Sequence, residues 1–520
     1  MLVCCASNIS FFPAAFTPFL LLFAAMSGLR HTSVTEIPKL IANCRKAFRS
    51  NKLRTAQSRK AAIRSLVSLV DENQRDLNDA VWQDLRKSMF EFNVMEVAMI
   101  KNEAWEAISH LDSWMQPQKV STELAMKLEY CATVRDPLGV VLIIGAWNYP
   151  LQLLFVGLVG ALAAGNSVVL KPSEIAPATA AAIAALVPKY FDPDIVCVVN
   201  GGVEETTSLL QERFDHILYT GNSRVARIVM SAAAKHLTPV TLELGGKSPC
   251  VVDKDCDIRI AARRIAWGKV ANAGQTCIAP DYLLVHPSVK DKLVEELAIA
   301  FTNFLGKDAK SSPDYGRIVS DAHFDRIKSL MTGGTVVVGG ATDKATRFIE
   351  PTVLDKINLQ SPLMNEEIFG PLLPIIPCAT IDEAISFIND REKPLALYVF
   401  SNNSANVDRL TAATSAGGVT VNDCLMHAGV STLPFGGVGE SGMGAYHGKL
   451  TFEMFSHKKA LMKRKLAMEF LNDMRYPPYT SAKFNRMKFL LFKNGPEKRF
   501  LPAFVGCFLL LALCLVFLTR

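Results

Sequence analysis

Three residues in three separate stretches have the right types for carbonyl chemistry. Cys277 sits in GQTCIAP (274–280), among small and turn-prone neighbours that leave room for a carbonyl carbon. The thiolate is the nucleophilic form of such a side chain. Asn148 lies in WNYP, just past an apolar run that reads as a buried strand. At the ligand edge of a parallel sheet its carboxamide can donate to a developing oxyanion. Glu243 lies in LELGGK, at another strand end before a Gly-Gly turn, where a carboxylate can act as general base. HILYTG followed by NSRVARIV reads as strand, Gly221, then a helix start. That arrangement suits a pyrophosphate, because the first helical N–H groups lack partners. Lys171 and Glu174, in LKPSE, end another strand and can hold ribose hydroxyls. Each residue also has a plain structural alternative: a loop cysteine, a turn asparagine, a solvated carboxylate. No histidine lies near Cys277 in sequence, so a Cys-His hydrolase cannot be argued locally.

Residues 34–115 are charged, periodic and rich in Ala and Leu, which predicts helices. From 138 to 252 short apolar strands alternate with helical patterns, the βαβ signature of a parallel sheet, and the same style continues over 255–413. Residues 415–447 are Gly-rich and read as strand and loop. A chain of 520 residues is too long for one core and predicts two or three domains.

Composition excludes several classes. The net charge is +7, but residues 456–499 carry twelve Lys/Arg against three Asp/Glu, so the remainder is close to neutral. A nucleic-acid binder would spread that charge over a face, and no such partner is expected. The twelve cysteines show no C-x-x-C, there is no H-E-x-x-H, and the nine histidines do not cluster. A disulfide scaffold and a metal site are therefore not expected, and free thiols suit a catalytic part facing the cytosol.

Three apolar runs carry three meanings. Residues 501–518 are uncharged and follow Lys498 and Arg499. As a helix they would span roughly 27 Å, near the hydrocarbon thickness, and they read as a C-terminal transmembrane anchor with the large part cytosolic. Residues 138–170 also lack charge, but Trp147-Asn148-Tyr149-Pro150 and Gly165-Asn166 cut them into strand (138–145), helix (151–164) and strand (167–171). Residues 1–25 form an optional hydrophobic extension without a positive n-region.

WNYP, LKPSE, YTGN, TLELGGKSP, GQTCIAPDY, EEIFGP, LPFGGVG and SGMGAYHGK, in this order, resemble the aldehyde dehydrogenase superfamily. The likeness is to its class three branch, with the membrane-anchored fatty aldehyde subgroup nearest, and it covers roughly residues 34–500. It implies that Cys277 attacks the aldehyde carbon, with the Asn148 amide and the Cys277 N–H as oxyanion hole. It implies hydride transfer to NAD, with NADP as an alternative, and a thioester released by water that Glu243 activates. It implies that Glu367 binds the nicotinamide ribose, that Phe369 packs at that end, that Lys171 and Glu174 meet the adenosine ribose, and that Gly221 admits the pyrophosphate.

The implied fold is α/β: a Rossmann-like cofactor domain (26–240), a catalytic domain (241–414) and a small bridging sheet from about 117–137 and 415–447, which supports a homodimer. A basic juxtamembrane tail (448–500) would lead to the anchor. The expected substrate is a medium- or long-chain fatty aldehyde, since each buried methylene is worth ~0.8 kcal/mol and concentrates the substrate in the bilayer. The expected place is the endoplasmic reticulum membrane, with the peroxisomal membrane as alternative. Rival readings are the same chemistry on short or aromatic aldehydes, acyl transfer to coenzyme A, and a silent membrane scaffold. One departure from the pattern is Ala226, where the family has glycine; its methyl would crowd either the cofactor or the strand–helix packing. Arg224, on the same turn, is either a phosphate contact or a solvated side chain.

Overall fold

The computed structural model describes residues 29–123, 126–127 and 129–492. The expected anchor at 501–518 and the extension at 1–25 lie outside them. Among the described residues no helix is long and apolar enough to cross a membrane.

The apolar run at 138–170 folds as strand, helix, strand. Strand β1 (Val140–Ile144) and strand β2 (Ser167–Lys171) are buried along their whole length. Helix α1 (Gln152–Ala164) between them is apolar on every side and buried from Leu153 to Ala164. A helix apolar all round needs cover all round, and here protein supplies it. Gly165, at φ +92°, ends it in the left-handed conformation that glycine adopts at low cost.

Four more strands complete a six-stranded sheet: β3 (Val196–Val198), β4 (His216–Thr220), β5 (Val240–Glu243) and, from far along the chain, Gly442–Met443. Its order is Gly442–Met443, β5, β4, β1, β2, β3, parallel except for the first pair. The order reverses between β1 and β4, and ligands bind at such switch points beyond the carboxyl ends of the strands. Register aligns those ends: Ile144 pairs with Lys171 and with Tyr219, and Thr220 pairs with Glu243.

A second, seven-stranded sheet uses β6 (Pro249–Val252), β7 (Tyr282–Val285), β8 (Thr335–Val338), β9 (Thr352–Asp355), β10 (Leu372–Pro377), β11 (Ala396–Phe400) and β12 (Gly418–Val421), in the order β8-β9-β10-β7-β6-β11-β12. Only β8 is antiparallel. The loops before β7 and β10 carry Cys277 and Glu367, and these two strands are neighbours.

The expected boundary at 240/241 runs through β5. A further correction concerns the bridging sheet. Three strands form it, Gln118–Lys119, Tyr130–Pro137 and Ser456–Lys463, in that order. Its third strand comes from the stretch read as a basic tail, not from 415–447, whose strands extend the other two sheets. SHKKALMK is charge-rich and mostly exposed, which hides a strand among tail-like residues. By compactness the described residues within 115–135 and 458–492 form a unit apart from the remainder.

Candidate active site

Asn148, Lys171, Glu174, Gly221, Glu243, Cys277, Glu367 and Phe369 all line one cleft of about 1460 Å³. The first sheet contributes the residues at its carboxyl edge; the second contributes the loops entering β7 and β10.

The loop before β7 is backbone-strained and heavily tied. Asn272 and Ala273 sit at φ +50° and +52°, unusual for residues with a Cβ. The Asn272 side chain donates to the carbonyls of Asn148 (2.8 Å) and Gln275 (3.0 Å). Gln275 donates to the Arg317 carbonyl at 2.9 Å and accepts from the Val319 N–H at 3.0 Å. Gly274 (φ +73°) is where this loop meets the loop before β10: a Cβ there would stand 2.3 Å from the Gly370 carbonyl oxygen. The sequence GQTC thus abuts FGP because glycine allows it.

Cys277 is half-buried, and its thiol is pushed well up, first by burial and then by the nearby Glu367 and Glu243 carboxylates. The N–H groups of Cys277 and Ile278 face the sulfur and favour the thiolate. Glu243 is 2% exposed and its carboxyl is pushed well up by burial. Neither of its oxygens has a hydrogen-bond partner. A buried carboxylate without a partner is expensive, which is why burial favours its neutral form. Asn148 is buried; its amide donates one hydrogen to the Gln275 carbonyl at 3.1 Å and keeps a second.

Farther along the cleft, burial raises Glu367 to about 8, with Asp281 adding to it and the Gly246 N–H opposing. Phe369, at φ +47°, meets the Trp147 ring edge-on at 5.2 Å, and His323 meets the same ring at 5.1 Å. Lys171 is buried; its ammonium donates to the Pro172 carbonyl at 2.8 Å and to Glu174 at 3.1 Å. Burial lowers its pKa and Glu174 opposes that. Gly221 precedes helix α2 (Ser223–Ala234), whose Asn222 cap accepts from the Val225 N–H at 3.0 Å. A Cβ at Gly221 would lie 2.2 Å from the Tyr219 hydroxyl.

Ala226 does not belong to the cleft. Residues 221–225 line it, whereas Ala226 is 2% exposed and packs with Val229, Leu242 and Leu244 against the sheet. Its methyl therefore bears on strand–helix packing. Arg224 is exposed at the cleft wall.

Sequence reading missed the ion pair of Lys247 and Asp281, although both residues lie inside quoted motifs. Lys247 also donates to the carbonyls of Leu363 (2.8 Å) and Glu366 (2.9 Å), and Asp281 accepts from the Ile368 N–H at 2.9 Å. Together they tie the Glu243, Cys277 and Glu367 loops.

Residues 24–461 match the model of the aldehyde dehydrogenase family. The chain belongs to that family. It is 50% identical over 445 residues to the rat "aldehyde dehydrogenase, dimeric NADP-preferring", covering 86% of this chain and 98% of the relative. It is 48% identical over 476 residues to rat "aldehyde dehydrogenase family 3 member A2", covering 92% and 98%. The solved substrate-bound state of Staphylococcus aureus AldH superposes with a TM-score of 0.85 at 41% identity, over 87% of this chain and 99% of that one. The α/β aldehyde dehydrogenase fold is thereby established, and this chain is an NAD(P)-dependent aldehyde dehydrogenase. The residues present fit the cofactor: a glycine before a helix N-terminus at the switch point, a Lys171–Glu174 pair at the neighbouring strand end, and a cleft larger than the roughly 300–1,000 Å³ of an ordinary ligand site.

Proposed function

We propose that this enzyme oxidises medium- and long-chain fatty aldehydes to carboxylic acids through a covalent Cys277 intermediate. The observation that carries the mechanism is Glu243: a buried carboxyl with no partner, in the same cleft as the thiol. Burial disfavours the charged form of both groups, so the thiol proton must pass out of the site before attack and the Glu243 proton before the thioester is opened. The sulfur then bonds to the aldehyde carbon, and the free hydrogen of the Asn148 amide and the Cys277 N–H meet the oxygen. NAD(P), when bound, would supply the hydride acceptor. Covalent capture is needed because an aldehyde carbonyl has no hydride-donating alkoxide until something adds to it. Glu243 takes a proton from the water that opens the thioester, and the acid leaves with the thiol restored. Glu367 and Phe369 would hold the nicotinamide end, and Lys171 and Glu174 the adenosine ribose.

The fatty chain is supported by the apolar run at 501–518 and its basic approach, which would hold the enzyme where such aldehydes dissolve. The same features support a tail-anchored enzyme of the endoplasmic reticulum membrane with its catalytic part cytosolic. A homodimer is supported by the relative whose name calls it dimeric. The test uses full-length protein, cofactor reduction, and hexadecanal beside benzaldehyde, with Cys277→Ser as control. Hexadecanal should be preferred by kcat/KM and the variant silent. Preference for benzaldehyde would sink the lipid substrate and leave the chemistry standing.

A further inference from the structure

The WNYP loop rests on a buried ion pair that the chemistry above does not use. Lys87 and Glu96 are both fully buried, with Nζ 2.7 Å from Oε1, and neither lines the cleft. Lys87 Nζ also donates to the Asn148 backbone carbonyl at 3.0 Å and sits 4.1 Å from the centre of the Tyr149 ring. The other oxygen of Glu96 accepts from the N–H groups of Leu151 (3.0 Å) and Gln152 (3.3 Å), at the start of helix α1. The pair thus grips the loop at Asn148 itself and at the two residues that open the helix after it. Tyr149 extends the grip: its hydroxyl meets the Thr276 hydroxyl at 2.7 Å, one residue before the nucleophile.

Two physical points argue that this pair is there for geometry. A buried ion pair is often no more stabilising than apolar residues of the same volume, so stability alone does not account for it. Glu96 also lies in a π-helical turn, Asn93–Val97, within an otherwise α-helical stretch. Such a turn costs helix regularity and re-aims side chains, and it recurs at functional sites.

We propose that Lys87 and Glu96 are positioning residues that hold the Asn148 amide at the place where the aldehyde oxygen becomes negative. This rests on the reading of Asn148 as the oxyanion donor. Donors of this kind act only when fixed beforehand, and a displacement of about 1 Å from a remote change can cost on the order of 10²-fold.

The test measures the pre-steady-state burst of cofactor reduction with hexanal in full-length protein. Lys87→Met and Glu96→Gln are compared with wild type, each alone and on an Asn148→Ala background; Glu96→Gln serves if Lys87→Met does not accumulate folded. The expected result is a burst slowed about 10- to 100-fold by either change, with cofactor Kd within about two-fold, and less than two-fold further loss once Asn148 is alanine. A merely structural role would give the same loss on both backgrounds, and that additivity overturns the proposal. So does a burst within two-fold of wild type. If Asn148→Ala alone leaves the burst unchanged, the oxyanion reading itself fails, an outcome distinct from additivity.

Discussion

Cys277 is surrounded by groups that oppose its ionisation. Burial comes first, then the Glu367 and Glu243 carboxylates. The free enzyme should therefore be alkylated by iodoacetamide slowly at neutral pH, with a rate rising about tenfold per pH unit from 6 to 9 and no plateau. A plateau below pH 8 would mean a stabilising partner beyond the N–H groups of Cys277 and Ile278. In the proposed mechanism Glu243 has the reverse duty: it must lose its proton to accept one from water. Glu243→Gln should keep a single-turnover burst near one equivalent while steady-state turnover falls about 10²- to 10⁴-fold. Loss of the burst as well would place Glu243 before the thioester. At this scale the gathering of Cys277, Asn148 and Glu243 in one cleft was legible because their motifs pair a reactive side chain with a turn. Lys87 and Glu96 were not, because in a helical stretch rich in charges a buried pair and a solvated one look alike.

At the scale of elements, helix α2 decides what Ala226 does. Its methyl packs with Val229 and Leu242, so Ala226→Gly should leave cofactor Kd within about two-fold. The same change should lower stability by roughly 0.5–1 kcal/mol from helix entropy, plus lost packing, read as a fall in Tm. Tighter cofactor binding would restore the crowding idea. Helix Ala98–Trp114 offers a pH test. Glu103 is 3% exposed; one oxygen accepts from the Gly448 N–H at 2.7 Å and the other has no partner. Burial raises its pKa to about 7. A raised carboxyl contributes stability below its unfolded pKa, lost as pH rises through the folded one. Glu103→Gln should thus gain relative to wild type between pH 5 and 8.5, by a few kcal/mol as an order of magnitude. A Tm difference that does not change with pH would contradict this. The strand–helix–strand fold of 138–170 was legible because turn residues punctuate it. The strand Ser456–Lys463 was not, because its exposed lysines match those of a linker.

For the whole molecule, charge and apolarity gather at the C-terminal end of the chain. If residues 501–518 anchor the protein, it should stay with liposomes of neutral phosphatidylcholine in 1 M NaCl, where an electrostatic attachment would be screened. Release by salt would reduce the basic stretch to a surface contact.

The three-stranded sheet bears on how the chain is made. Its middle strand, Tyr130–Pro137, leaves the ribosome early, and its partner Ser456–Lys463 follows only after both large sheets have been synthesised. Until then one edge of that strand has open hydrogen-bonding groups, the kind of edge that recruits other chains. Pairing across so long an interval has high contact order and closes late. Nascent chains stalled before residue 456 should therefore depend on chaperones far more than completed ones.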